Sequence, residues 1–213
     1  MTFRAILALN QNAVVSKKIL FPFSFEKDFH RGYSWTMELA SRMNATPFFF
    51  TVLPARYPND QNRISKVYHS LLEARGNYLQ YFHDAKNVRA IPKTERLIEK
   101  GDFTWSLIKF VKKTKFDIIV VDLQASELSP TTLQDVVENA NGVIVLPDQK
   151  ESPDHSSDGT AKGVEKKITQ DFYDILGQSN LYKVPSYFFQ ALGRDKKVFN
   201  YLRSLFRKNQ NPY

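Results

Sequence analysis

The chain contains no cysteine, little glycine and no long apolar run. Without cysteine it can form no disulfide, thiolate zinc site or iron–sulfur cluster, and it has no cysteine nucleophile. No stretch approaches the roughly 20 consecutive apolar residues of a transmembrane helix, and the first residues do not resemble a signal peptide. We therefore expect a cytoplasmic protein. Glycine supplies only 8 of 213 residues, which limits the places where backbone can approach a ligand closely.

The composition is that of a folded chain with an excess of positive charge. Apolar residues make up 42% and charged residues 24%, which is ordinary for a globular protein. Thirty Lys and Arg against 22 Asp and Glu give a net charge of +8. This balance favours acidic partners, but spread over the whole chain it is weak evidence for nucleic acid.

No motif of an enzyme or a metal site is present. His30, His69, His83 and His155 lack metal-ligand spacing, and the chain has no Walker loop and no metalloprotease or serine-hydrolase signature. Asp122 ends an apolar run, where catalytic carboxylates often occur, but nothing in the sequence pairs with it as acid, nucleophile or ligand. We predict no catalytic residue, no metal and no cofactor.

The composition divides the chain into three parts. Apolar runs alternate with helical patterns over residues 1–148 and predict an α/β domain. The polar stretch that follows predicts a linker at 149–163. Residues 164–213 are basic and aromatic, and apolar stripes at helical spacing predict a helical extension.

Five apolar runs in the first part predict strands with helices between them. Such alternation predicts parallel strands joined by right-handed crossovers, and so a doubly wound sheet. Asn44 is placed to end the first helix, Ser129-Pro130 to begin the fourth, and Asn141-Gly142 to end it. The predicted strands are Lys18–Ser24, Thr46–Leu53, Lys93–Lys100, Asp117–Asp122 and Gly142–Pro147.

A ligand crevice is expected beyond the carboxyl ends of the first and fourth strands, where the order of a doubly wound sheet reverses. The loops that would form it are 24–28 and 123–130. The candidate crevice residues are Ser24, Phe25, Gly101, Asp122, Gln124, Ser126, Ser129, Gln134 and Asp135.

Several short segments resemble universal stress proteins. They are Ile19–Glu26, Met37–Asn44, Phe48–Val52, Glu99–Asp102 together with Ile108, Phe116–Asp122 and Val143–Pro147, within residues 17–148. The resemblance implies the strand order 3-2-1-4-5, a dimer and, in one subclass, ATP in the predicted crevice. It also implies a regulatory role in stress response.

The chain departs from the ATP-binding pattern of that family. Ser24 stands where ATP-binding members carry Asp, and no glycine lies between Gly101 and Gly142. Gln134-Asp135 falls where the family's last Gly-Ser/Thr pair would be. Because glycine lets backbone N–H groups cradle a phosphate, we predict a non-catalytic protein without the usual nucleotide site. The alternative is a member that binds or weakly hydrolyses ATP or AMP through a rebuilt loop.

Two surfaces are predicted to make contacts. The fifth strand is predicted to lie at an edge of the sheet, where its unpaired backbone invites a second copy. We therefore predict a homodimer, with Val143, Ile144, Val145 and Leu146 as its candidate interface. The extension is predicted to pack on the domain, because its apolar stripes are too costly to leave in water. The alternative is that its basic stripe at 194–208 meets a membrane surface or protein partner. Nucleic acid is the least favoured partner.

Overall fold

The computed structural model describes residues 17–54, 61–83, 92–126, 128–147 and 172–192. The predicted linker at 149–163 and the segment 194–208 lie outside these residues. The strands are β1 (Lys17–Pro22), β2 (Ala45–Leu53), β3 (Glu95–Lys100), β4 (Ile118–Asp122), β5 (Val143–Leu146) and β6 (Asn180–Tyr182). The helices are α1 (His30–Met43), α2 (Gln61–His83), α3 (Phe103–Lys113), α4 (Pro130–Asn139), α5 (172–178) and α6 (Ser186–Leu192). Over the described residues, no helix combines the length and apolar character needed to cross a membrane.

The strands form one sheet in the order β3-β2-β1-β4-β5-β6, and the first five are parallel. This confirms the doubly wound α/β fold and the order 3-2-1-4-5 that the resemblance implied. Every residue of β4 and β5 is buried, as expected where helices cover both faces of a parallel sheet.

Local sequence signals place the helix ends. Asn44 ends α1 in the left-handed conformation, with φ 50° and ψ 51°, and its N–H reaches the carbonyls of Ala40 and Ser41. Ser129 caps α4 and Pro130 takes its first position. Both predictions are confirmed. The exit of α4 differs, because Ala140 is its C-cap in an extended conformation.

Two apolar clusters hold the layers together, one on each face of the sheet. One joins the sheet to α1 and α2, and the other joins it to α3 and α4. The first cluster also contains the buried side chains of Phe172, Leu176, Phe188 and Leu192. The predicted docking of the extension on the domain is therefore confirmed for residues 172–192.

The extension also supplies a sixth strand, which the helical prediction missed. β6 runs antiparallel along β5 and pairs Val143 with Tyr182, Ile144 with Leu181 and Val145 with Asn180. The prediction that β5 lies at the edge is therefore wrong. Since β4 and β6 take both sides of β5 along Val143–Val145, the backbone of these three residues is not free to pair with a second copy.

Aromatic side chains join the extension to α1. The indole N–H of Trp35 donates to the carbonyl of Phe172 at 3.3 Å, and the two rings stack 5.0 Å apart. The guanidinium of Arg42 lies 4.6 Å from the ring centre of Phe172 and donates to the hydroxyl of Tyr173 at 3.1 Å. Arg42 also pairs with Glu38 one turn earlier.

Candidate functional site

The loops after β1 and β4 meet at the carboxyl edge of the sheet, as the topology predicts. The backbone N–H of Ser24 donates to the carbonyl of Ala125 at 2.7 Å, and that of Phe23 to the carbonyl of Phe50 at 2.9 Å. Ser24 is only 5% exposed. The two loops that would flank a ligand are thus hydrogen-bonded directly to each other.

Asp122 is buried there and paired with Arg31. The Nε and Nη2 atoms of Arg31 lie 3.3 and 3.2 Å from Oδ2 of Asp122. The same Nη2 donates to the carbonyl of Pro147 at 2.7 Å, and Oδ1 of Asp122 accepts the N–H of Gln124 at 3.1 Å. The carboxylate therefore ties α1 to the ends of β4 and β5, which is a structural role.

Sequence reasoning missed Arg31. The one sequence feature that could have indicated it is the presence of a cation in the first turn of α1, where the positive end of the helix dipole favours an acid. Such a placement indicates a specific partner, but the sequence does not say which one. The partner comes from a residue 91 positions away.

Aromatic rings fill the space between β1 and α1. Phe21 and Phe23 stack with their centres 6.1 Å apart, and Phe23 lies 4.3 Å from Phe29. A Cβ built on Gly32 would lie 2.4 Å from Cζ of Phe21 and 3.2 Å from Cβ of Asp122. Only glycine fits at this point of α1, because the ring of Phe21 occupies the space a side chain would need.

The side chain of Ser129 caps the N-terminus of α4. Oγ of Ser129 accepts the N–H of Thr132 at 3.1 Å and lies 2.8 Å from the hydroxyls of both Thr131 and Thr132. The carbonyl of Ser129 accepts the N–H of Leu133 at 2.9 Å. Donors that could otherwise receive an anion at this helix end are partly used by the cap.

A lysine joins the two loops as well. Nζ of Lys27 donates to the carbonyl of Ser126 at 2.8 Å. Ser126 is 1% exposed, and its hydroxyl has no hydrogen-bond partner within the described part of the chain. The structure therefore brings Ser24, Asp122 and Ser126 together and adds Lys27 and Arg31.

The remaining candidates lie outside this group. Gln134 and Asp135 are in the second turn of α4 and exposed, and Nε2 of Gln134 donates to Oε1 of Glu138 at 3.1 Å. Gly101 follows β3, which two strands separate from β4, a distance of about 14 Å. Helix direction and strand order therefore place these three residues away from Asp122.

Two further candidates lie at the border of the group. Phe25 is half-buried beside α2, with the guanidinium of Arg63 5.9 Å from its ring centre. Gln124 exposes its side chain and contributes only its backbone N–H, to Asp122. Neither side chain adds a polar group that faces Asp122.

The histidines that the structure describes show no ligand cluster. Nδ1 of His30 lies 3.0 Å from Oδ1 of Asp28, and the backbone N–H of His30 chiefly lowers the pKa of that carboxyl. His69 is exposed on α2. Within the described ranges, no three His, Cys, Asp or Glu side chains are placed to hold a metal.

Comparison with known proteins gives only weak similarities. No family model and no curated protein matches the chain. Among solved structures, universal stress protein UspA from Lactobacillus plantarum is 18% identical, with 61% of this chain and 96% of that one covered at a TM-score of 0.37. Hypothetical protein MJ0577 is 18% identical, with 65% of this chain and 100% of that one covered at a TM-score of 0.38.

Hypothetical protein PH0823 is 19% identical, with 64% of this chain and 98% of that one covered at a TM-score of 0.33. Because these TM-scores are below 0.5, the comparisons add nothing to what the strand order and the contacts establish.

Proposed function

We propose that the chain is a non-catalytic, universal-stress-like protein that acts in a stress response through contacts with other proteins. The pair that partly buried Arg31 forms with buried Asp122 carries the proposal. Its guanidinium lies at the carboxyl edge of the sheet and is already used by the carboxylate and by the carbonyl of Pro147.

The other donors near the two loops support the same function. Lys27 donates to a backbone carbonyl, Ser24 donates its N–H to Ala125, and Ser129 accepts the N–H of Thr132. A phosphate entering here would have to displace these contacts and approach a buried carboxylate. Both requirements oppose the binding of ATP or AMP.

Calorimetry with Mg-ATP and with AMP tests the proposal. We expect no measurable heat and no shift in melting temperature, whereas a ligand at 100 times its Kd stabilises a protein by about 2.7 kcal/mol. Micromolar affinity would support the alternative, a nucleotide-binding protein with a rebuilt loop.

The proposal includes a homodimer with its interface on α2. Tyr68 and Leu72 lie four residues apart on one face of the helix and are 43% and 53% exposed. They offer an apolar centre that the backbone of β5 does not. We expect Leu72→Glu to shift the dimer toward monomer in light scattering, with the nearby exposed Glu73→Gln as the control. The mass of one chain at every wild-type concentration would contradict the dimer.

A further inference from the structure

The outer face of α3 exposes a tryptophan. Trp105 is 63% exposed, more than any other large apolar side chain in the described part of the chain. Nζ of Lys109 lies over the indole ring of Trp105, 4.7 Å from the ring centre, in a cation–π contact. The opposite face of the helix buries Phe103, Leu107 and Val111, so packing of the core does not require an aromatic residue at 105.

The same face carries only positive charge. Residues 103–116 include no Asp or Glu, and Lys109, Lys112 and Lys113 are all exposed. At spacings of four, seven and eight residues from Trp105, these lysines share its side of the helix. We call Trp105, Lys109, Lys112 and Lys113 the α3 patch.

Acidic groups border the patch without pairing with it. Asp102 accepts the backbone N–H of Trp105 at 2.8 Å and caps the helix. Asp135 and Glu138 are exposed on α4, the helix packed beside α3. No ion pair joins any of the three lysines to an acid within the described residues.

We propose that the α3 patch binds the surface of an anionic membrane. Tryptophan places its apolar ring and polar N–H at the boundary between headgroups and acyl chains. Lysines beside it attract anionic lipids as point charges on flexible stems. A convex helix face suits a broad surface of charge better than it suits a peptide, which needs a groove.

Vesicle binding by the full chain tests the proposal directly. We expect cosedimentation with phosphatidylcholine vesicles that contain phosphatidylglycerol, no cosedimentation with pure phosphatidylcholine, and loss of binding at high salt. The chain has two tryptophans, and Trp35 is buried at 4% exposure. Binding should therefore shift Trp105 emission to the blue, and Trp105→Phe should abolish the shift while Trp35 still reports folding.

Charge variants locate the contact. Each of Lys109→Gln, Lys112→Gln and Lys113→Gln should lower the partition coefficient about five-fold, and the three together about 100-fold, since each lysine contributes about 1 kcal/mol near an anionic surface. Lys66→Gln on α2 is the matched control, because that lysine is exposed on the other face of the sheet, and it should change binding little.

Several outcomes would overturn the proposal. They are equal binding to neutral vesicles, no binding at low salt, and binding that leaves Trp105 emission unchanged. An unchanged partition of the triple variant would assign the membrane contact to another surface, such as residues 194–208. Tighter binding of the chain to a DNA duplex at equal phosphate concentration would assign the patch to nucleic acid instead.

Discussion

The carboxyl edge of the sheet and the surface covered by residues 172–192 are held together by different kinds of contact. At the carboxyl edge, partly buried Arg31 pairs with buried Asp122, and a backbone hydrogen bond from Ser24 to Ala125 joins the two loops. Under the extension, Phe172 and Phe188 are buried in the apolar cluster on one face of the sheet, with 2% and 0% exposure. A buried ion pair adds little net stability over an apolar pair, whereas a buried aromatic ring adds about 1.5–3 kcal/mol.

We infer from this difference that the polar contacts set the geometry of the fold and that the apolar contacts supply most of its stability. The polar contacts fix how α1, β4 and β5 meet. As a pair, Arg31 and Asp122 add little stability over an apolar replacement, although the loss of one partner alone is costly. The apolar contacts of the extension enlarge the core of one face and cover β5. The predictions below test this division, beginning with the largest expected effect.

Removal of residues 148–213 should cause the largest loss. It exposes the apolar surface under Phe172, Leu176, Phe188 and Leu192, and at about 1.5–3 kcal/mol for each side chain the loss approaches the whole stability of a typical domain. It also leaves the backbone of β5 unpaired, which favours aggregation. We expect little soluble protein. An unchanged urea midpoint and a monodisperse truncated chain would show that the extension adds no stability.

Arg31→Met should have the next largest effect. It leaves the carboxylate of Asp122 buried without its cation, and loss of one partner of a buried pair costs about 3–5 kcal/mol. Because the side chain of Arg31 keeps 19% exposure, we expect the free energy of unfolding to fall by about 3 kcal/mol, measured by urea unfolding.

Arg63→Met is the control, since Arg63 pairs with Glu26 at 3.4 Å and the glutamate side chain is 51% exposed. That exposed pair should cost below about 1 kcal/mol, and equal losses would refute the structural role of Asp122.

Sequence patterns predicted the layers and missed contacts made across the chain. The apolar runs placed β1 to β5, and Asn44 and Ser129 placed helix ends, because those signals are local. β6 has three residues, too few for a periodic pattern. The partner of Arg31 depends on how α1 crosses the ends of β4 and β5, which no local pattern encodes. Gln134 and Asp135 were placed by the spacing of a family motif, but they lie on an exposed turn of α4.

Gly142→Ala should have an intermediate effect, at the place where the extension approaches β5. Its Cβ would lie 3.1 Å from Cδ of Pro185, 3.2 Å from the carbonyl oxygen of Asp117 and 3.3 Å from Cα of Val184. Overpacking of this kind costs about 1–3 kcal/mol. Gly76→Ala on α2 is the matched control, because no atom lies within 4 Å of the position that its methyl group would take. We expect that change to stabilise the chain by about 0.5–1 kcal/mol. If both substitutions changed the free energy of unfolding in the same direction, the close approach of residues 184 and 185 to Gly142 would be contradicted.

Tyr187→Phe should have the smallest effect at neutral pH and a distinct one in alkali. The hydroxyl of Tyr187 donates to Oδ1 of Asp117 at 2.7 Å, and a hydrogen bond to a charged group contributes about 1.5 kcal/mol at the low end of its range. Burial, and then the hydrogen bond and charge of Asp117, raise the pKa of Tyr187. Tyr68→Phe on the exposed face of α2 is the control.

The pH dependence follows from that raised pKa. Below about pH 10, the ordinary value for tyrosine, the hydroxyl is protonated in both states and its full contribution to stability is present. As the pH rises further, the unfolded chain loses the proton first, so the free energy of unfolding falls until the folded hydroxyl also ionises. Tyr33, whose pKa burial raises to about 12, adds a similar decline in every variant.

Urea unfolding between pH 9 and 11 (about one unit on either side of the ordinary value) should therefore show a shallower decline in the free energy of unfolding for Tyr187→Phe than for wild type. Because Tyr187 is only partly buried, the difference should stay below the roughly 1.4 kcal/mol per pH unit of one full proton. Parallel declines would show that the hydroxyl does not hold α6 to Asp117.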